Sequence, residues 1–226
     1  MIDLTSTPII ILAILGSVGI AIPVINIALK EKGSSTSYGV IALIALFASI
    51  GYVLYQLALE HVAPAAIFSQ DVLVDDAFGS LFAIAMLIVA IFTTIGSFSY
   101  MKNRDNPAIY FSLILLSAIG MVLVAYSTDL VMLFIAWELM SIPTYILVGF
   151  LKKDPISNEA AIKYFLFGAL ASAIIIYGIS LAYGVTGSTN IGEVIQGFMV
   201  LDADLIPIAL LRSEERRVGK ECRSRW

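Results

Sequence analysis

One acidic side chain lies in the middle of an apolar stretch. Glu138 stands eight residues after Leu130 and thirteen before Leu151, in the run LVMLFIAWELMSIPTYILVGFL. In an α-helix it would sit about 12 Å from one end and about 20 Å from the other. A carboxyl at the centre of a membrane helix costs about 2.5–3.5 kcal/mol, so the group must be neutral, paired with a cation, or facing water. Each state suits a proton carrier. The alternative is a protonated glutamic acid that only bonds neighbouring helices.

Lys163 is the second ionisable side chain inside a predicted span. It lies about 9 Å into the following apolar stretch, measured from Ser157, and about 10 Å closer than Glu138 to the basic loops. One or two waters would bridge that separation. A positive charge on Lys163 would then act on Glu138, as a proton relay requires, so we predict these two residues as the relay. The alternative is that the ammonium of Lys163 reaches the headgroups at the membrane surface.

The other candidate residues carry weaker signals. Pro143 cannot donate to the carbonyl of Leu139, which is therefore expected to be free to bind water or to allow a kink, although membrane helices also tolerate proline without a function. His61 has no second ligand near it in the sequence. Three loop acids are expected to be helix caps or solvated charges: Asp71, Asp75 and Asp76.

The composition identifies the class of protein. Of 226 residues, 60% are hydrophobic and 13% charged, and the mean hydropathy is +0.97. Soluble domains carry about 25% charged residues, so we predict an integral membrane protein and exclude a nucleic-acid binder or a disulfide scaffold. With one cysteine (Cys222) and one histidine, the chain lacks the ligands for an iron–sulfur cluster, a cysteine zinc site or a bis-histidine haem. We expect no cofactor in this chain.

The expected fold is all-α, a bundle of six full membrane spans and the start of a seventh near Leu205. The predicted spans cover residues 8–29, 38–59, 80–100, 108–127, 130–151 and 157–184. Basic residues follow the first, third and fifth spans, whereas the loops between them on the other side hold acids and no Lys or Arg. By the positive-inside rule the basic loops are cytoplasmic and the N-terminus lies outside a cytoplasmic membrane. Small residues in the sixth span predict close helix packing: Gly168, Ala171, Ser172 and Gly178.

The last fifteen residues, 212–226, differ from the rest. They hold six of the 13 Lys and Arg and the only Cys. A basic cytoplasmic tail is one interpretation. Back-translation of RSEERRVGKEC resembles a sequencing-library adapter read in frame, so we predict that residues 1–211 are the membrane domain and that 212–226 are a non-native tail.

Two segments resemble a known family. WELMSIPTYILVGF, from Trp137, and NEAAIKYFLFGALASAIIIYGISLAYGVTGSTNI, from Asn158, resemble the antiporter-like membrane subunits of respiratory complex I. The resemblance is greatest to subunit N and to the equivalent subunit of archaeal dehydrogenases that oxidise a reduced deazaflavin coenzyme. It implies a proton-translocating, cofactor-free subunit of an NADH or deazaflavin:quinone or phenazine oxidoreductase, which is not catalytic alone and is surrounded by other membrane subunits and lipid.

The resemblance also implies residue roles. Glu138 matches the family's fifth-span glutamate, and Lys163 matches the lysine of its sixth-span A-x-K-Y motif. The family's two inverted repeats extend beyond this chain, so we expect the N-terminal part, about half, of a longer subunit with a cytoplasm-facing half-channel. Two alternatives stay open: a subunit of a multi-subunit sodium/proton antiporter, which shares the W-E-L core, and a truncated fragment without activity.

Overall fold

A computed structural model describes residues 6–28, 34–59, 72–102 and 104–200. Within those ranges the chain is helical, apart from connections and two isolated β-bridges. The helices are α1 (Thr7–Ala28), α2 (Ser35–Ala58), α3 (Ala77–Met101), α4 (Pro107–Tyr126), α5 (Leu130–Val148), α6 (Pro155–Thr186) and α7 (Ile191–Val200). The predicted all-α class is therefore confirmed.

Helices α1 to α6 correspond to the six predicted spans. Each has at least 19 residues and a mean hydropathy between 1.8 and 2.6, which is long and apolar enough to cross a bilayer. The ten-residue α7 lies where the sequence predicts only an outer loop, and it is too short to span a membrane. The predicted seventh span, from Leu205, lies outside the described residues, as does the tail 212–226.

The connections group at two ends of the bundle. Segments 102–106 and 149–154 form what we call the basic end, with Lys102, Arg104, Lys152 and Lys153. Segments 72–76, 127–129 and 187–190 form the acidic end, where two of them are joined to 127–129 by single β-bridges. Caps define the helix starts: Asp154 accepts from the Ile156 amide at 3.0 Å, directly before Pro155 at the first helical position.

Helix α4 lies at the centre of the bundle. It packs against α1, α2, α3 and α5, and it is the most buried of the six spans. Its buried side chains include Phe111, Leu115 and Tyr126. Because lipid is as apolar as these side chains, the association of the helices depends on close packing and interhelical hydrogen bonds more than on exclusion from water.

The α4–α5 contact illustrates that packing. A Cβ added at Gly120 would lie 2.7 Å from Cα of Met140 and 2.8 Å from the carbonyl carbon of Leu139. The Ser117 hydroxyl, nearly one turn earlier in α4, donates to the carbonyl of Met140 at 3.1 Å. The lack of a side chain at Gly120 and the hydroxyl of Ser117 thus hold α5 close to α4.

Helix α6 lies at the edge of the described bundle. Its main helix contacts are with α5 and α7, and none of its residues is buried. One stripe is half-buried, at a spacing of three to seven residues: Ala161, Gly168, Ser172, Ile175 and Ile179. The other faces are apolar and exposed, with Phe167 73% and Ile174 63% accessible. Only one face of α6 is therefore positioned by contacts within the described residues.

We expect Gly120→Ala to lower the free energy of unfolding by about 1–3 kcal/mol, the usual cost of overpacking. Its new Cβ meets backbone atoms of α5, which cannot rotate away. Gly96→Ala in α3 is the control, because a Cβ there meets nothing within 4 Å. Denaturant unfolding in detergent measures both; equal stability of the two variants would contradict the close α4–α5 approach.

Candidate functional site

Glu138 lies in the middle of α5. It follows Leu130 by eight residues and precedes Val148 by ten, which places it about 12 Å and about 15 Å from the two helix ends. Its side chain is half-buried. The Asp129 carboxylate caps the start of α5 by accepting from the Val131 and Met132 amides at 2.9 and 3.0 Å. Glu138 therefore lies near the middle of α5, and the second helix end is closer than the predicted distance of about 20 Å because α5 ends at Val148 rather than Leu151.

The hydrogen-bond partner of Glu138 is Ser172 in α6. The Ser172 hydroxyl donates to Oε1 of Glu138. A serine hydroxyl can both donate and accept, so this pair can stay bonded whether the carboxyl is ionised or protonated. The sequence marks Ser172 only as a small packing residue; a hydroxyl within an apolar span was the one available signal of a polar role.

The register of α6 against α5 is fixed next to this pair. Tyr145, seven residues after Glu138 and so on the same helix face, fits over Gly168, where a Cβ would lie 2.6 Å from Cζ of the ring. The ring also makes edge contacts with Tyr164 and Phe165, with centroids 5.0 and 5.8 Å apart. Of the predicted packing residues in the sixth span, Gly168 and Ser172 pack on α5, whereas Ala171 is exposed and Gly178 has open space around it.

Both ends of α6 are also tied to α5. At the acidic end, the Thr189 hydroxyl donates to Asp129 at 2.5 Å and the Leu130 amide donates to the Thr189 carbonyl at 2.8 Å. At the basic end, the Ser157 hydroxyl donates to the Val148 carbonyl at 2.7 Å. The central Glu138–Ser172 contact therefore lies between two anchored ends.

Pro143 lies inside α5 and is buried. The carbonyl of Leu139 is expected to lack an amide donor because Pro143 has no N–H. Hydroxyl groups bond the carbonyls of residues on either side of Leu139. Ser141 donates to the carbonyl of Trp137 at 2.8 Å, and Ser117 of α4 donates to that of Met140 at 3.1 Å. Side-chain donors thus support the segment of α5 that contains Glu138.

Lys163 does not contact Glu138. Its ammonium pairs with Oε1 of Glu159 at 2.5 Å, one turn earlier in α6, and 66% of its side chain is accessible. Lys163 precedes Ser172 by nine residues, which is two and a half turns, so the two residues lie on opposite faces of α6, about 13 Å apart along the axis. The structure brings Glu138 to Ser172 and places Lys163 on the face turned away from α5.

The loop acids that the structure describes act as caps. Asp76 accepts from the Gly79 amide at 2.7 Å at the start of α3, and Asp75 accepts from the Thr7 amide at 2.7 Å at the start of α1. His61, Asp71 and Cys222 lie outside the described residues. Among the described residues, no group of three or more His, Cys, Asp and Glu side chains is placed to hold a metal ion.

Known proteins are similar to this chain in sequence and in fold. Residues 125–211, which include α5 and α6, match the family described as NADH:quinone oxidoreductase/Mrp antiporter, transmembrane. The match ends directly before the tail at 212–226, whose non-native origin stays a prediction. The chain is 45% identical over 142 residues to NADH-quinone oxidoreductase subunit N 1 of Koribacter versatilis, covering 62% of this chain and 28% of that protein.

Two further proteins are similar to this chain, one in sequence and one in structure. The chain is 37% identical over 145 residues to F(420)H(2) dehydrogenase subunit N of Methanosarcina mazei, covering 64% of this chain and 29% of that one. A chain of respiratory complex I from Thermus thermophilus superposes with a TM-score of 0.64 and 28% identity over 80% of this chain and 38% of that chain. The matched stretches thus span less than half the length of these relatives.

A bundle of six apolar helices with one acid at the middle of α5 defines a polytopic membrane protein with an ionisable group inside a span. By these matches, the chain is similar to the antiporter-like membrane subunits of complex I-type oxidoreductases, and among them to subunit N. The resemblance predicted from the W-E-L and A-x-K-Y segments is confirmed.

We expect Gly168→Ala to destabilise the protein by about 1–3 kcal/mol, because the new Cβ displaces the Tyr145 ring. Gly178→Ala, in the same helix with open space at Cβ, should be neutral. Adding Tyr145→Leu to Gly168→Ala should recover part of the loss, which a double-mutant cycle of unfolding free energies measures. A strictly additive cycle would show that the two residues do not pack together.

Proposed function

We propose that this chain belongs to a proton-translocating membrane subunit of a complex I-like oxidoreductase, and that Glu138 carries the proton. The observation that carries the proposal is the carboxyl of Glu138 at the middle of α5, with a hydroxyl partner on α6. Nothing in the fold or in the family matches favours the alternative of a sodium/proton antiporter subunit.

The energetic argument concerns a carboxyl at the centre of a membrane helix. Such a group costs about 2.5–3.5 kcal/mol, and a packed apolar side chain would avoid that cost. The Ser172 hydrogen bond offsets part of it, because bonds to charged groups contribute about 1.5–3 kcal/mol. Glu138 remains half-buried rather than enclosed, which leaves it open to a proton donor. A residue held at that cost in reach of a donor is suited to proton transfer.

The partners follow from the relatives' names. Those proteins are named as subunits of NADH-quinone oxidoreductase and F(420)H(2) dehydrogenase. We propose that this chain likewise assembles with other membrane subunits in a lipid bilayer, holds no cofactor, and is not catalytic alone. Electron transfer to a quinone or phenazine would occur elsewhere in the complex. By the positive-inside rule, the basic end faces the cytoplasm and the N-terminus lies outside.

Lys163 is proposed as the second proton-carrying group. Because it lies on the face of α6 turned away from Ser172, protons would reach Glu138 from it through water or side chains that pass around α6, rather than by direct contact. Its ammonium pairs with Glu159 on the exposed side of α6, near the basic end of the bundle.

We expect Glu138→Gln to leave assembly intact, since the amide oxygen still accepts from Ser172, and to reduce proton pumping. A positioned proton carrier contributes about 10²–10⁴-fold to the rate of transfer. The measurement is proton uptake per electron in vesicles that contain the assembled complex with the complete subunit. Glu159→Gln, which removes an exposed acid from α6, is the control. Normal pumping in Glu138→Gln would refute the proposal.

We expect Lys163→Met to lower the proton-to-electron ratio as well, because methionine has a similar length and no titratable group. The same vesicle assay measures it, again with Glu159→Gln as the control, since that variant breaks the same ion pair and keeps the ammonium. If the two variants pump equally well, Lys163 serves only as a surface charge.

A further inference from the structure

We propose that Ser172 is the positioning residue of the Glu138 site. Its hydroxyl holds the carboxyl at the α5–α6 interface and remains bonded to it in both protonation states. This inference rests on the proposed role of Glu138 as a proton carrier. Nothing in the names of the relatives or the description of the family refers to this residue.

The direction of the Ser172 hydroxyl is the first argument. Serine and threonine hydroxyls inside helices commonly bond a carbonyl of their own preceding turn. Ser141, Ser180 and Thr186 do so, with distances of 2.8 to 2.9 Å. The Ser172 hydroxyl instead bonds across to α5, onto the only carboxyl within that helix.

The packing around the pair is the second argument. Tyr145 over Gly168 fixes the register of α6 one turn from Ser172, and the Thr189–Asp129 and Ser157–Val148 hydrogen bonds hold the ends. The position of the α6 backbone therefore sets the position of the Ser172 hydroxyl relative to Glu138. The serine side chain is short, so the contact does not depend on a long flexible chain. A contact fixed in this way survives a change in the charge of the carboxyl.

The chemistry of the two groups is the third argument. An ionised carboxyl only accepts hydrogen bonds, and the Ser172 hydroxyl donates to it. A protonated carboxyl can donate, and the oxygen of Ser172 can accept. The Ser172 hydroxyl bonds Oε1 of Glu138. Among the described residues, no group forms a hydrogen bond with Oε2. Ser172 thus holds one oxygen of the carboxyl and leaves the other available to exchange a proton, which is the function of a positioning residue.

The test compares Ser172→Ala, Ser172→Thr and the control Ser180→Ala in the assembled complex with the complete subunit. Ser180 lies on the same helix, and its hydroxyl donates to the Tyr177 carbonyl of the preceding turn. Loss of a hydrogen bond to a charged group changes an equilibrium by about tenfold or more. We therefore expect the rate of proton transfer through the Glu138 site, measured as the rate of proton pumping, to fall about tenfold in Ser172→Ala, to recover in Ser172→Thr, and to stay normal in Ser180→Ala.

A second readout separates positioning from packing. Redox-induced infrared difference spectra should contain a carbonyl band of protonated Glu138, assigned by its absence in Glu138→Gln. In Ser172→Ala that band should move to higher wavenumber because the carboxyl has lost its hydroxyl partner, and Ser172→Thr should restore it. Ser172→Cys, a weak donor of nearly the same size, should give an intermediate shift, and it keeps the test open if the alanine variant does not assemble.

The outcomes distinguish the two proposals. If Glu138→Gln abolishes pumping while Ser172→Ala pumps normally with an unshifted band, Ser172 does not position the carboxyl, and the role of Glu138 still stands. If Glu138→Gln pumps normally and no Glu138 band exists, the proposed function fails first. If the alanine and threonine variants lose pumping equally with an unshifted band, Ser172 acts only in packing, which also overturns the inference.

Discussion

A carboxyl in the middle of a membrane helix must find its polar partner within the protein, and the arrangement of α5 and α6 meets that requirement. Glu138 lies where lipid supplies no hydrogen bonds, and the Ser172 hydroxyl on the neighbouring helix bonds it. This contact exists only if α6 keeps one rotation and one height relative to α5. The packing features around the pair serve to maintain that rotation and height.

The support extends inward to the centre of the bundle. Gly120 lets α4 approach the α5 backbone, and Ser117 bonds a carbonyl beside the proline-containing segment. Gly168 then receives Tyr145 of α5, so α6 is placed relative to a helix that is itself fixed. Because helices in a lipid bilayer associate through close packing and interhelical hydrogen bonds, single glycines and hydroxyls determine the position of Glu138.

The sequence predicts the spans and their ends but not the rotation of the helices. Runs of apolar residues indicate where the six long helices lie, and the structure agrees. The helices are apolar on nearly all sides, so no polar stripe shows which face turns inward. For that reason the sequence does not reveal that Lys163 faces away from α5, and it gives Ser172 no role beyond packing. The sequence predicts only an outer loop where α7 lies, because a ten-residue segment is too short to be identified as a membrane span.

The most direct measurement is an experimental map of the assembled complex in lipid, detailed enough to show ordered water. The account predicts the Glu138 carboxyl between α5 and α6, bonded to the Ser172 hydroxyl through one oxygen and to a file of water or a cationic side chain through the other. A carboxyl that faces acyl chains, with neither water nor a polar neighbour beside it, would contradict the account.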